Sequence, residues 1–247
     1  MKKDTLEEFI TRYTLGNIIN KAKWKYTAKE KVLHTRGTAD GRCFVGDVVM
    51  NDFSDFGDDD LVLCVGDTEK VLKMMSPFGE DISITVSRSG DRILGFTLSD
   101  KDCESYCSAA DPSSMDPVPK NLQDVTEWHV IVPLTEDFLE KFLKARLALK
   151  DVASFSVGMN KKGLFEVVIG YTTANSNRIR ITPPTDATAN KVGTALAFPI
   201  INIAEVFKAN QDIAGGTLSI NDAGMARVYF KNDKFTCTYY QFAAKKS

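Results

Sequence analysis

The residues of this 247-residue chain that could carry catalysis or hold a metal are its two histidines, its five cysteines and a run of aspartates. His34 and His129 both fall in strand-like apolar runs with no nucleophile beside them. A general base needs its proton source within hydrogen-bond reach, so both read as structural or surface imidazoles. Cys103 and Cys107 are spaced CxxxC. On a strand that spacing puts them on one side, about 13 Å apart, too far to share an ion. A second ligand pair, as in a zinc knuckle, is missing. The run Asp52, Asp55, Asp58, Asp59, Asp60 is the best cation candidate. It lacks the alternating oxygen ligands and closing glutamate of an EF-hand loop, so it reads as a solvated loop that keeps anions off its face. No Walker loop is present, and no GxGxxG follows a strand. The chain is expected to be non-enzymatic, with no catalytic residues, no metal ligands and no cofactor.

Cations on helices are more informative. The period of Val71, Leu72 and Met75 predicts a helix over Glu69–Met75 with Lys70 and Lys73 on its far face. Phe138, Phe142, Ala145 and Leu149 form the stripe of a second helix after Thr135. Lys144 lies opposite that stripe, Lys141 flanks it, and Arg146 extends the basic content. On the first helix Arg12 faces away from Leu6 and Ile10, just after Lys2 and Lys3. Lys208 lies off the Ile203/Phe207 face of a fourth. Acids share these faces (Glu7, Glu8, Glu136, Glu140), and lysine belongs on any solvated helix. The pattern carries a function only if the helices share one surface.

These helices sit in an element order that occurs twice. A helix capped at Asp4-Thr5 is followed by strands at Ile18–Trp24, Lys31–Thr35, Arg42–Met50 and Leu61–Val65. The Glu69–Met75 helix comes next, then strands at Ile82–Ser87, Arg92–Leu98 and near Glu104–Ser108. The second half repeats this from Trp128–Leu134, with a hairpin turn at Asn160-Lys161-Lys162-Gly163. A further strand, Ala195–Ile201, leads to a short helix over Ile203–Ala209, capped by Asn202, and strands at Thr217–Ile220, Ala226–Phe230 and Phe235–Phe242 follow. Between the halves lies a segment with three prolines in twelve residues, Ala109 to Lys120, a connector. The reading is two α+β domains, 1–108 and 125–247, joined by 109–124.

Composition narrows the class further. With 43% hydrophobic and 26% charged residues the chain is an ordinary globular one. Its apolar runs, such as Val130–Leu134, are too short to span a bilayer, so no membrane role is expected. A net charge of −2 argues against a surface that coats nucleic acid everywhere, but not against one basic face.

Three segments resemble the sliding clamps of T-even-type bacteriophages. They are the connector Ala109-Ala110-Asp111-Pro112-Ser113, the helix Thr135-Glu136-Asp137-Phe138 through Arg146 with the strand Ala153–Val157 after it, and Phe198-Pro199-Ile200-Ile201-Asn202. The resemblance implies a closed homotrimeric ring of paired processivity-fold domains, with helices on the inner face and antiparallel sheets outside. It implies a ring that encircles double-stranded DNA without reading sequence and tethers the replicative DNA polymerase. An ATP-dependent clamp loader and late transcription factors are the further partners, and the infected host cytoplasm is the setting. The DNA-facing residues would be Lys70, Lys73, Lys141, Lys144 and Arg146, with Arg12, Lys2, Lys3 and Lys208. A partner-peptide pocket would combine Met115, Pro117 and Val118 with Tyr239 and Tyr240. The tail Lys245-Lys246-Ser247 is basic where such clamps lead one to expect acid. The competing reading is a structural virion protein of a tail or capsid.

Overall fold

A computed structural model describes residues 1–119, 125, 127–159, 165–170, 177–184, 187–189 and 196–243. The predicted turn at Asn160–Gly163, Lys120 and the Lys245–Ser247 tail lie outside the described residues. The chain divides into two compact units. Unit 1 is Met1–Arg42, Gly46–Val118 and Asp233–Cys237, and unit 2 is Cys43–Val45, Pro119–Asn232 and Thr238–Ser247.

Unit 1 runs α1 (Lys3–Thr14), β1 (Ala22–Thr27), β2 (Val32–Ala39), β3 (Phe44–Met50), β4 (Leu61–Val65), α2 (Thr68–Met75), β5 (Ser83–Ser89), β6 (Arg92–Ser99) and β7 (Glu104–Ser108). One sheet has the order β3-β2-β1-β4 and a second the order β5-β6-β7. The alternation Ala-Lys-Trp-Lys-Tyr-Thr makes β1 a two-faced strand: Ala22, Trp24 and Tyr26 are buried, while Lys23 and Lys25 face outward. Helix α1 lays Phe9 and Tyr13 on that buried face. The Trp24 indole N–H donates to the Tyr13 hydroxyl at 3.0 Å, and the Trp24 ring lies 6.0 Å from Phe9 and 5.6 Å from Phe96.

Unit 2 runs β8 (Val130–Leu134), α3 (Glu136–Ala148), β9 (Ser154–Met159), β10 (Phe165–Ile169), β11 (Ile179–Ile181), β12 (Thr188–Ala189), β13 (Leu196–Pro199), α4 (Ile200–Asn210), β14 (Gly216–Ile220), β15 (Met225–Lys231) and β16 (Phe235–Phe242). Its sheets have the orders β12-β8-β14-β15-β16 and β11-β10-β9-β13. The core repeats the device of unit 1. A helix aromatic, Phe142, sits against a strand aromatic, Phe155, at 5.4 Å, and against Phe207 of α4 at 4.9 Å.

The caps explain where the helices begin. The Thr135 hydroxyl accepts the Phe138 N–H at 3.2 Å and the Asp67 carboxylate accepts the Lys70 N–H at 2.9 Å, both N-cap bonds. Two boundaries depart from the sequence reading. Helix α1 starts at Lys3 without a side-chain cap; the Lys3 N–H instead donates to the Glu80 carbonyl at 2.8 Å, so a tertiary bond replaces the expected Asp4-Thr5 cap. Helix α4 starts at Ile200, ahead of Asn202. Asn202 is buried inside the helix and donates to Gln241 at 2.7 Å, a partner far along the chain that outweighs its capping preference.

Candidate nucleic-acid interface

Each unit pairs its own helices, α1 with α2 and α3 with α4. The exposed helix cations lie beside acids of the same helix. Lys73 is 2.6 Å from Glu69, Lys141 is 2.7 Å from Asp137, Lys144 pairs with Glu140, and Lys208 is 3.9 Å from Glu205. These are i,i+3 and i,i+4 pairs on solvated helix faces, where water screens much of the attraction. The Glu69 hydrogen bond holds the Lys73 amine above its ordinary value. Helix α3 carries three acids and three bases, so its net charge is zero. Lys70 is exposed, and among the described residues no acid lies within ion-pair distance of it.

The remaining candidates are less free. Lys2 is exposed but reaches Asp81 at 3.0 Å and Glu80 at 3.7 Å. Lys3 is mostly covered and donates to the Phe78 carbonyl at 3.0 Å. Arg146 is partly buried and donates to the Leu149 carbonyl at 3.0 Å, an orphan acceptor at the helix end. Arg12, expected on the solvent side of α1, is only 2% exposed. Its guanidinium lies 4.6 Å from the centre of the Phe235 ring and 3.9 Å from Glu8. The 100° spacing is right, but the long side chain folds under to a ring more than two hundred positions away.

The outward face of the β1–β4 sheet also carries cations. Lys23, Lys25, His34 and Arg36 stand on it, and Asp47 of β3 lies among them. Asp47 takes His34 Nε2 at 2.9 Å and the Arg36 guanidinium. Burial alone would raise its carboxyl; the His34 hydrogen bond and charge, with those of Arg36, outweigh burial and hold it below the usual carboxylate range. A lowered folded value means stability that is full above the unfolded value, near pH 3.9, and is lost as pH falls through the folded one. Asp47→Asn is therefore expected to cost about 1.5–3 kcal/mol at neutral pH. In chemical denaturation the gap to the parent should close below about pH 4. A gap unchanged from pH 7 to pH 3 would contradict the assignment.

The acidic loop is also engaged. Asp55 receives the amino terminus at 3.0 Å and Asp60 the Ala28 N–H at 2.8 Å. His129 Nδ1 accepts the Asp222 N–H at 3.2 Å. All five cysteines are free thiols, with Cys64, Cys107 and Cys237 buried.

This architecture has counterparts among solved structures. The chain is similar to proliferating cellular nuclear antigen (PCNA) from Entamoeba histolytica over 99% of its own length and 96% of that chain, with TM-score 0.73 and 12% identity. It is similar to PCNA of A. fulgidus, solved with the C-terminal region of FEN-1 bound, over 100% and 98%, with TM-score 0.72 and 14% identity. Its fold is that of the PCNA-type sliding clamps. A chain of the PCNA2–PCNA3 complex of Sulfolobus tokodaii matches over 100% and 98%, with TM-score 0.70 and 11% identity. No family model and no curated protein matches the sequence. At such identities the shared property is the fold.

Within this clamp fold the five expected pocket residues divide between the units. Met115 and Val118 line a hollow of about 10 Å³ with Lys21, Lys23, Arg36 and Thr38, and Pro117 is exposed. Tyr239 is fully buried in unit 2, its hydroxyl bonded to Asn210 at 3.0 Å, and Tyr240 is 8% exposed. Both tyrosines serve the core.

Sequence reasoning passed over the strand edges. Strand β7 ends its sheet, with Tyr106 51% exposed on it. It adjoins α2, where a hollow of about 270 Å³ is lined by Lys70, Met74 and Cys107. Strand β11 ends the other clamp sheet of unit 2 and adjoins α3. There Leu147 is 64% exposed, beside a hollow of about 380 Å³ that includes Leu143, Glu136 and Glu140. A lone tyrosine in the polar run Glu-Ser-Tyr-Cys-Ser was the available signal.

Proposed function

We propose that this chain is a sliding clamp: a closed ring of identical subunits that encircles duplex DNA and tethers the replicative polymerase, without catalysis of its own. The observation that carries this is the likeness to PCNA over the whole chain. Among the described residues these two edges carry no further strand, and together they offer a means of closure. A ring needs a heterologous contact, two different patches that fit. Strand β7 with α2 offers Tyr106, Met74 and Lys70; strand β11 with α3 offers Leu143, Leu147 and the carboxylates Glu136 and Glu140. Pairing one with the other extends a sheet, covers the exposed apolar side chains and brings Lys70 to opposite charge. Three subunits follow from the resemblance to the phage clamps, as do the loader and the role of a mobile activator of late transcription.

The lining this implies is balanced in charge. Lysines already paired with acids attract phosphates weakly, which suits a ring that moves along the duplex without reading bases. Freeing them should tighten the hold. Asp137→Asn, which frees Lys141 and leaves the carboxylates of the subunit contact in place, is expected to strengthen binding to duplex DNA. The slope of log affinity against log salt should steepen by up to about 0.9 for each lysine released. Fluorescence anisotropy over a salt series checks this; unchanged affinity and slope would place α3 away from the DNA. The proposal as a whole is tested by sedimentation velocity at micromolar concentration. A three-subunit species is expected, and a strict monomer up to tens of micromolar would count against the ring. A virion subunit would instead form open, higher-order assemblies.

A further inference from the structure

Helix α2 is short, and little apolar surface seats it. Of its eight residues only Val71 and Met75 bury their apolar side chains. Apolar contact is non-directional, so two such residues hold the helix down without fixing its rotation about its own axis. That rotation decides where Lys70 and Met74 stand, since the two are four residues apart and share a face. Met74 meets the β7 edge there: its sulfur lies 3.8 Å from Cys107 Sγ.

A polar anchor stands at the start of the same buried face. Thr68, the first residue of α2, is fully buried. Its hydroxyl donates to the Asn20 carbonyl at 3.1 Å, and its N–H to the same oxygen at 3.0 Å. The Tyr13 hydroxyl of α1 bonds to the Thr68 side chain and accepts the Trp24 indole N–H at 3.0 Å. The two ends fix the direction of this chain. An indole N–H only donates and a carbonyl only accepts, so Tyr13 donates to Thr68, and each hydroxyl gives one bond and takes one. Burial pushes the Tyr13 phenol well above its ordinary value, so the proton that completes the chain stays in place. Linked hydrogen bonds strengthen one another, and unlike apolar contacts they demand an angle.

We infer that Tyr13 is the positioning residue of α2. Through Thr68 its hydroxyl fixes the rotation of that helix, and with it the place of Lys70 and Met74 on the β7 edge. Helix α3 is seated differently: it has thirteen residues and buries Phe138, Leu139, Phe142 and Ala145. The anchor is a property of unit 1 alone, and only its consequence for assembly rests on the ring reading above.

The protein carries its own probe. Cys107, against Met74, is 6% exposed, and Cys237, in the same unit, is 0% exposed. Iodoacetamide labelling of the full chain, resolved cysteine by cysteine by mass spectrometry, is run at a dilution where parent and variants sediment as single chains. Tyr13→Phe and Thr68→Val are expected to raise the labelling rate of Cys107 at least tenfold, with Cys237 within twofold of the parent, the mark of local opening. Thr68→Ser keeps the hydroxyl and should label like the parent. Circular dichroism establishes that the variants fold. Equal acceleration at both cysteines would overturn the anchor in favour of a general loss of stability, and an unchanged Cys107 rate would overturn it outright. Sedimentation velocity at higher concentration then tests the edge. Tyr13→Phe should raise the midpoint concentration for assembly at least fivefold, and Cys107 freed with assembly unchanged would overturn the link between α2 and the subunit contact. A parent that never assembles would contradict the ring, and the labelling alone would then decide the anchor.

Discussion

Under the proposed ring closure, Tyr106→Ala is expected to leave single chains at micromolar concentration. The side chain is half exposed on a bare edge strand, and its removal takes an aromatic anchor from every subunit contact. Such anchors contribute about 2 kcal/mol or more each, roughly a thirtyfold weakening per contact. A closed ring has as many contacts as subunits, so the loss multiplies around it. The fold should survive, since the ring lies across Gly95 at the surface and does not fill the core: a β-carbon on Gly95 would meet the Tyr106 hydroxyl oxygen at 2.6 Å. Sedimentation velocity checks the outcome, with Phe242→Ala, an exposed aromatic elsewhere, as the control that should leave the assembly intact. An unchanged sedimentation coefficient for Tyr106→Ala would remove β7 from the subunit contact.

Phe142→Ala has the largest expected effect on stability, about 3–5 kcal/mol. Phe142 is fully buried and touches Phe138, Phe155 and Phe207, rings from its own helix, from β9 and from α4. Truncation leaves a cavity where three elements meet, and no neighbour can fill it without breaking its own stacking. Denaturant unfolding measures the loss, and hydrogen exchange should show it in the amides of β9 and β10. A cost below about 1 kcal/mol would mean that the core relaxes into the space, against its close packing.

Much of this fold is legible residue by residue. Thr135 and Asp67 announce their helices because an N-cap bond is local, and β1 declares both of its faces in six residues. What could not be read depends on distant partners. Arg12 looks solvent-facing by helical angle, yet its cover comes from Phe235. Asn202 looks like a cap until Gln241 stands beside it. Tyr239 and Tyr240 read as pocket residues, and only the contact of Tyr239 with Asn210 of α4 shows the first of them to be core. The candidate site divides in the same way. The exposure of Lys70, Lys73, Lys141 and Lys144 follows from periodicity, and their neutralisation by Glu69, Asp137 and Glu140 follows from i,i+4 spacing. The edges β4, β7 and β11 are properties of sheet order, which no short window of sequence contains.

Encirclement is the central claim, and it makes a topological prediction that contact binding does not. Rings thread onto linear duplex through a free end, and blocking both ends with bulky protein then traps them. Cutting the trapped DNA with a restriction enzyme reopens an end. The account predicts that the protein stays on the blocked duplex through a wash at high salt, where weak phosphate contacts are screened, and leaves promptly after the cut. Release in the wash before the cut, or retention unaltered by the cut, would contradict it.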